Sequence, residues 1–150
     1  MKKFMQMLAM LALGAIMTGC ASVDMASSEK DQQAKQFKAK ADKASIYVYR
    51  NESMGAAIKM PVLLNNQHAG TTAAKTYMVL DVPAGKHTLI SKTENDSVLN
   101  MAVEAGKNYY VWQEVKMGAW SARSQLQQVD EAKGKADVLE CSLIAQPELK

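Results

Sequence analysis

From Ser45 to Ile144 the chain runs in short alternations of apolar and polar residues, interrupted at close intervals by Asn, Gly or Pro. No stretch of this region sustains the 3.6-residue period of an amphipathic helix. A pleated strand needs alternation because successive side chains point to opposite faces. The pattern predicts strands over Ser45–Arg50, Lys59–Leu64, His68–Thr72, Thr76–Val82, His87–Lys92, Val98–Glu104, Asn108–Lys116, Ala119–Val129 and Ala136–Ile144. Asn65-Asn66-Gln67 reads as a hairpin turn, because Asn tolerates positive φ. Pro83-Ala84-Gly85 reads as a second turn, and Asp130–Lys135 as a turn or one helical turn broken by Gly134. The implied fold is all-β: an antiparallel β-sandwich, immunoglobulin-like or transthyretin-like, of about eight or nine short strands.

Composition agrees with a single folded domain. The chain of 150 residues is too short for a barrel enzyme of about 250. At 48% hydrophobic it is too apolar to be wholly disordered, and two cysteines are too few for a disulfide scaffold.

The first twenty residues follow a different grammar. Lys2 and Lys3 precede an uncharged run, Phe4–Met17, rich in Leu, Met and Ala. Fourteen helical residues span about 21 Å, too short for a hydrocarbon core of about 30 Å. A positive start, a short apolar run and small residues make a secretory signal peptide. Its end, Met17-Thr18-Gly19-Cys20, resembles the bacterial lipobox, with Met17 standing where Leu is preferred. The resemblance implies cleavage before Cys20, diacylglycerol on its sulfur and a further acyl chain on its amine. Two or more chains hold a protein on a bilayer, at about 0.8 kcal/mol per buried CH₂. The sorting rule of enteric-type bacteria retains lipoproteins with Asp after the cysteine; Ala21 and Ser22 stand here, implying the periplasmic leaflet of the outer membrane. The alternatives are an ordinary cleaved signal with an incidental cysteine, or a short membrane helix.

Three regions follow: a signal peptide over 1–19, the lipidated cysteine and a tether over 20–43, and a β domain over 44–150. The tether is rich in Ala, Ser, Lys and Gln, with one aromatic, Phe37, and no Pro or Gly. It reads as a flexible or partly helical spacer, about 25 Å across as a coil. Asp31–Lys43 holds the best helix formers, and Phe37 either docks on the domain or stays solvated. The formal charge of +3 invites a nucleic-acid reading, but Lys2 and Lys3 leave with the signal. Residues 44–150 hold 11 basic and 11 acidic side chains, so no nucleic-acid footprint is expected.

An ordered set of segments carries a family resemblance. Tyr47-Val48-Tyr49-Arg50 is followed by the hairpin Pro61–Gly70, by Val82-Pro83-Ala84-Gly85-Lys86-His87-Thr88-Leu89, and by Ala105-Gly106-Lys107-Asn108-Tyr109-Tyr110-Val111. This is similar to the bacterial envelope family called domain of unknown function 2846, over about residues 40–144. Proline–glycine turns before a strand also occur in small surface-layer sandwich modules. The resemblance implies a β-sandwich on an exported protein or lipoprotein, and it carries over no catalytic or ligand residues. The repeat of Val82-Pro83-Ala84-Gly85-Lys86 as Val103-Glu104-Ala105-Gly106-Lys107 reads as one good turn used twice.

Chemistry-bearing patterns are sparse. His68 and His87 sit at turns, with no metal-ligand spacing. Glu104 and Glu114 look like solvent-facing strand residues, and no Gly-x-Ser-x-Gly elbow or phosphate loop is present. No enzyme activity, metal or cofactor is expected. Cys141 alternates with Leu139 and Leu143, which favours a small buried hydrophobe over an intermolecular disulfide. The candidate binding surface is Tyr110, Trp112 and Trp120, with Arg50 beside Tyr49. These aromatics suit a protein hot spot or sugar stacking if exposed; otherwise they fill a second core face or lie under the tether. The expected role is a non-catalytic interaction or scaffolding module for an envelope protein. The alternative is a glycan- or peptidoglycan-binding module, and less so an envelope hydrolase.

Overall fold

The computed structural model describes residues 22–147. Met17, Thr18, Gly19 and Cys20, and with them the lipobox reading, lie outside the described residues. The described residues are mostly β, in two sheets with two short helices. A helix, α1 (Ser28–Ala34), comes first. Seven strands follow: β1 (Ala44–Arg50), β2 (Met60–Leu64), β3 (Gln67–Thr72), β4 (Thr76–Val82), β5 (Gly85–Lys92), β6 (Asp96–Val103) and β7 (Asn108–Met117). Then come β8 (Ala122–Val129), α2 (Glu131–Leu139) and the two-residue β9 (Ser142–Leu143).

The five-stranded sheet has the order β8-β7-β1-β4-β9, and the four-stranded sheet the order β3-β2-β5-β6. The second is antiparallel throughout. The first is mixed, because β1 pairs in parallel with β7 and β4 in parallel with β9. The expectation of a wholly antiparallel fold is therefore corrected. Alternation reports which residues share a face and is blind to strand direction, so a parallel neighbour remote in sequence leaves no local signal.

Every residue of β1 is buried, because both faces of the central strand are covered. Ile46 and Val48 point into a core shared with Met78, Leu80 and Val111 of their own sheet and with Val62, Leu89 and Met101 of the other. Tyr47 and Tyr49 point the opposite way, into a second cluster with Tyr77, Tyr110, Val138 and Cys141. The helices close this second face. A polar belt runs inside the inter-sheet space. Thr72 Oγ1 donates to Gln113 Oε1 at 2.5 Å, Gln113 Nε2 to Ser91 Oγ at 2.6 Å, and Ser124 Oγ to Ser91 Oγ at 2.7 Å.

Asn65 and Asn66 take φ of 50° and 67°, the doubly positive pattern of a tight hairpin turn. The repeated turns differ in shape: Gly85 has φ 138° and Gly106 φ 79°. The segment expected as a last strand over Ala136–Ile144 is instead the end of α2 (Ala136–Leu139), a turn at Glu140–Cys141 and the short β9. Asp130 caps the helix by accepting from Lys133 N at 2.9 Å, and Lys133–Asp137 and Lys135–Glu131 pair one turn apart.

The described part of the segment read as a spacer, residues 22–43, lies on the domain. Met25 bridges antiparallel to Ile144, and α1 is capped by Ser27. Phe37 packs on the second cluster, 5.4 Å from the Tyr47 ring. Tyr47 Oη donates to Ala34 O at 3.0 Å, and Asn108 Nδ2 to Phe37 O at 2.7 Å.

Candidate functional site

Three of the four residues expected on a binding surface are covered. Arg50 is fully buried. Its Nη1 donates to Ile58 O at 2.7 Å and its Nη2 to Gly55 O at 2.5 Å and Met54 O at 3.2 Å. It therefore shapes the β1–β2 loop from within, and burial pulls its pKa down against the opposing charge of Glu52. Tyr110 is 1% exposed, because α2 lies across it at Gly134. Trp112 is half-buried on the same face, with Lys133 Nζ 5.0 Å above its ring. Tyr110 and Trp112 lie on the face opposite Val111 and fill a second cluster there, with α2 over them.

Trp120 is different: it is 95% exposed, and neighbouring Met117 is 84% exposed. Ala119–Ser121, expected as the start of a strand, is instead the β7–β8 loop. Glu94, in the β5–β6 turn, holds that loop from the other sheet. Its carboxylate accepts from the backbone N–H groups of Ala119, Trp120 and Ser121 at 3.0, 2.8 and 2.7 Å. Arg123 adds Nε at 2.9 Å and Nη2 at 2.7 Å. Three backbone donors and a guanidinium favour the ionised form, so the Glu94 pKa falls to about 2. Gly118 is required by the close turn, since a Cβ there would lie 2.0 Å from Ser121 O. The loop thus displays one large aromatic on a fixed backbone, which lowers the ordering cost of binding. The pairing of Glu94 with residues 25 to 27 positions away has no local sequence signal; Gly118 is the one residue that could have marked a turn.

The other candidates stand apart. His68 is exposed, with Nε2 3.0 Å from Thr71 Oγ1. His87 is buried in β5, accepting from Asn65 Nδ2 and donating to Pro83 O, both at 2.9 Å. Glu104 pairs with Lys107 and Glu114 with Lys116, so these carboxylates do not meet. Cys141 is buried, 3.6 Å from Arg50 O, and burial pushes its thiol pKa up to about 12. Among the described residues no group of three or more His, Cys, Asp or Glu is placed to hold a metal ion. No described helix is long and apolar enough to cross a membrane. A cleft of about 610 Å³ lies between the N-terminal segment and the sheet, lined by Lys30, Lys38, Tyr47, Asp81 and Gln146.

With two sheets, a covered aromatic face and this loop defined, the chain belongs to the DUF2846 family of proteins of unknown function, whose model matches residues 40–125. That match stops short of α2 and β9. The chain is also similar to a Haemophilus influenzae protein described as uncharacterized, 32% identical over 127 residues, covering 83% of this chain and 76% of that one. No solved structure matches.

Proposed function

We propose that this is a lipid-anchored envelope protein, held by Cys20 in the periplasmic leaflet of the outer membrane. Its domain serves as a non-catalytic protein-interaction module that makes contact through the Trp120 loop. The two sheets act as the layers of a β-sandwich that carries this loop at one end. The observation that supports the contact surface is a nearly fully exposed Trp on a loop clamped by Glu94. Rigid, exposed Trp is the residue type that most often anchors a protein interface.

The glycan reading is weaker, because Tyr110 and Trp112, two of the three aromatics it needs, lie under α2. The hydrolase reading is weaker still, because among the described residues His68 and His87 lie apart from each other and from Glu104 and Glu114, each bonded within its own strand or turn.

Affinity capture from detergent-solubilised envelopes tests the proposal. Wild-type protein retains a stoichiometric protein partner, W120A loses it, and L139A, which removes another exposed apolar side chain, keeps it. Retention by W120A refutes the assignment of the loop. Binding to purified sacculi that W120A abolishes, with no protein partner, favours the glycan reading instead.

A further inference from the structure

We propose that the domain lies flush on the bilayer, presenting the face around Ser22, Asp24, Lys59, His68 and Thr71 to phospholipid headgroups. This rests on lipidation of Cys20. The expected spacer of some 25 Å is taken up by docking. Ala145 N donates to Asp24 O at 2.8 Å, and Ala26 N donates to Leu143 O at 2.9 Å. Val23 packs against the inter-sheet core, and Leu143 N donates to Asp31 Oδ1 at 2.8 Å. Further along, Lys35 Nζ donates to Cys141 O, Asn108 Nδ2 to Phe37 O, and Gly106 N to the carbonyls of Lys40 and Lys43, so the segment from Asp24 to Lys43 is tied to the domain along its length and adds no reach. Ser22 is only two residues from Cys20, so their Cα atoms are at most about 7 Å apart. An anchor in the interface then holds Ser22 at headgroup level.

The same chain arithmetic selects the face. Ser22, Val23 and Asp24 share a groove of about 310 Å³ with Lys59, His68 and Thr71. Lys59 and His68 are exposed and supply donors for phosphate oxygens. The opposite edge of the five-stranded sheet carries the Trp120 loop. Four strand spacings separate β9 from β8, roughly 19 Å. Trp120 is thereby turned away from the lipid, toward the periplasm.

The test uses lipidated protein in vesicles of phosphatidylethanolamine and phosphatidylglycerol that carry a headgroup nitroxide. A fluorophore is placed on H68C or, as the distant control, on Q125C of β8. Buried Cys141 stays unlabelled. Quenching is expected to be several-fold stronger at 68 than at 125. A twelve-residue Gly/Ser insertion between Ala21 and Ser22 adds about 19 Å of coil and should reduce quenching at 68 to that at 125. Equal quenching at both positions in protein whose mass shows acylated Cys20 overturns the flush placement alone. Unchanged quenching at 68 in the insertion variant overturns the claim that the short link sets the distance. A mass without acyl chains overturns the anchor and the placement together.

Discussion

Gly134→Ala separates tertiary packing from helix propensity, because the two predict opposite signs. In an isolated helix Ala is better than Gly by about 1 kcal/mol, so the substitution should stabilise α2. Gly134 is buried against Tyr110, and a Cβ there would lie 2.2 Å from Tyr110 Cγ and 2.3 Å from its Cβ. Those atoms sit at the base of the side chain and cannot swing aside. Tyr110 is also boxed in by Tyr47, with ring centroids 5.2 Å apart, and by Phe37 at 6.0 Å. The helix must lift instead, loosening Val138 and the cover over Trp112. Overpacking of this kind costs about 1–3 kcal/mol, and the strain here is placed at the upper end. Against a gain of about 1 kcal/mol, the net expectation is a loss of about 1–2 kcal/mol. Urea unfolding of the non-acylated protein, followed by far-ultraviolet circular dichroism, measures it. The midpoint should fall with little change in slope. A midpoint that rises would show that α2 does not pack on Tyr110 and would remove the reason for Tyr110 and Trp112 being covered.

Three further outcomes follow from other parts of the molecule. Gln113→Leu removes two buried hydrogen bonds, leaving Thr72 with Met60 O and Ser91 with Ser124 Oγ, and should cost about 1–3 kcal/mol in the same unfolding assay. The Glu94 carboxyl has its pKa depressed, so the clamp is complete above its ordinary value of 4.5 and is lost as pH falls toward about 2. In a W112F background, Trp120 fluorescence anisotropy should drop across that window, and E94Q should abolish the transition. Buried Cys141, with its thiol raised to about 12, should resist a thiol-reactive disulfide reagent at pH 8 in the native state and react once unfolded. A disulfide-linked dimer on a non-reducing gel would contradict that placement.

Much of the β framework was legible because β2 and β5 to β8 alternate in burial over most of their length, and Asn65-Asn66 and Pro83-Ala84-Gly85 punctuate the strands. Four features were not. The parallel pairing of β1 with β7 depends on contacts some 60 residues apart, as in Tyr47 beside Tyr110. Helix α2 was masked by Gly134, which weakens helix propensity but is needed for close approach to Tyr110. The alternation of Leu139, Cys141 and Leu143 imitated a strand, although Leu139 is exposed and the other two are buried. The docking of residues 22–43 was hidden because α1 buries no residue of its own; Phe37 and backbone pairing hold the segment. At the candidate site, Trp120 was identifiable as a type and Glu94 was not, since its partners are backbone groups on the other sheet's hairpin.

The most direct measurement of the central claim is site-specific photocrosslinking in living cells. A photoreactive amino acid is placed at 117, at 120 and, for comparison, at the exposed positions 98 and 139. The account predicts one discrete protein adduct at 117 and 120 that E94Q weakens, with none at 98 or 139. Adducts of equal yield at all four positions, or none at 120 alongside a strong one at 139, would contradict it.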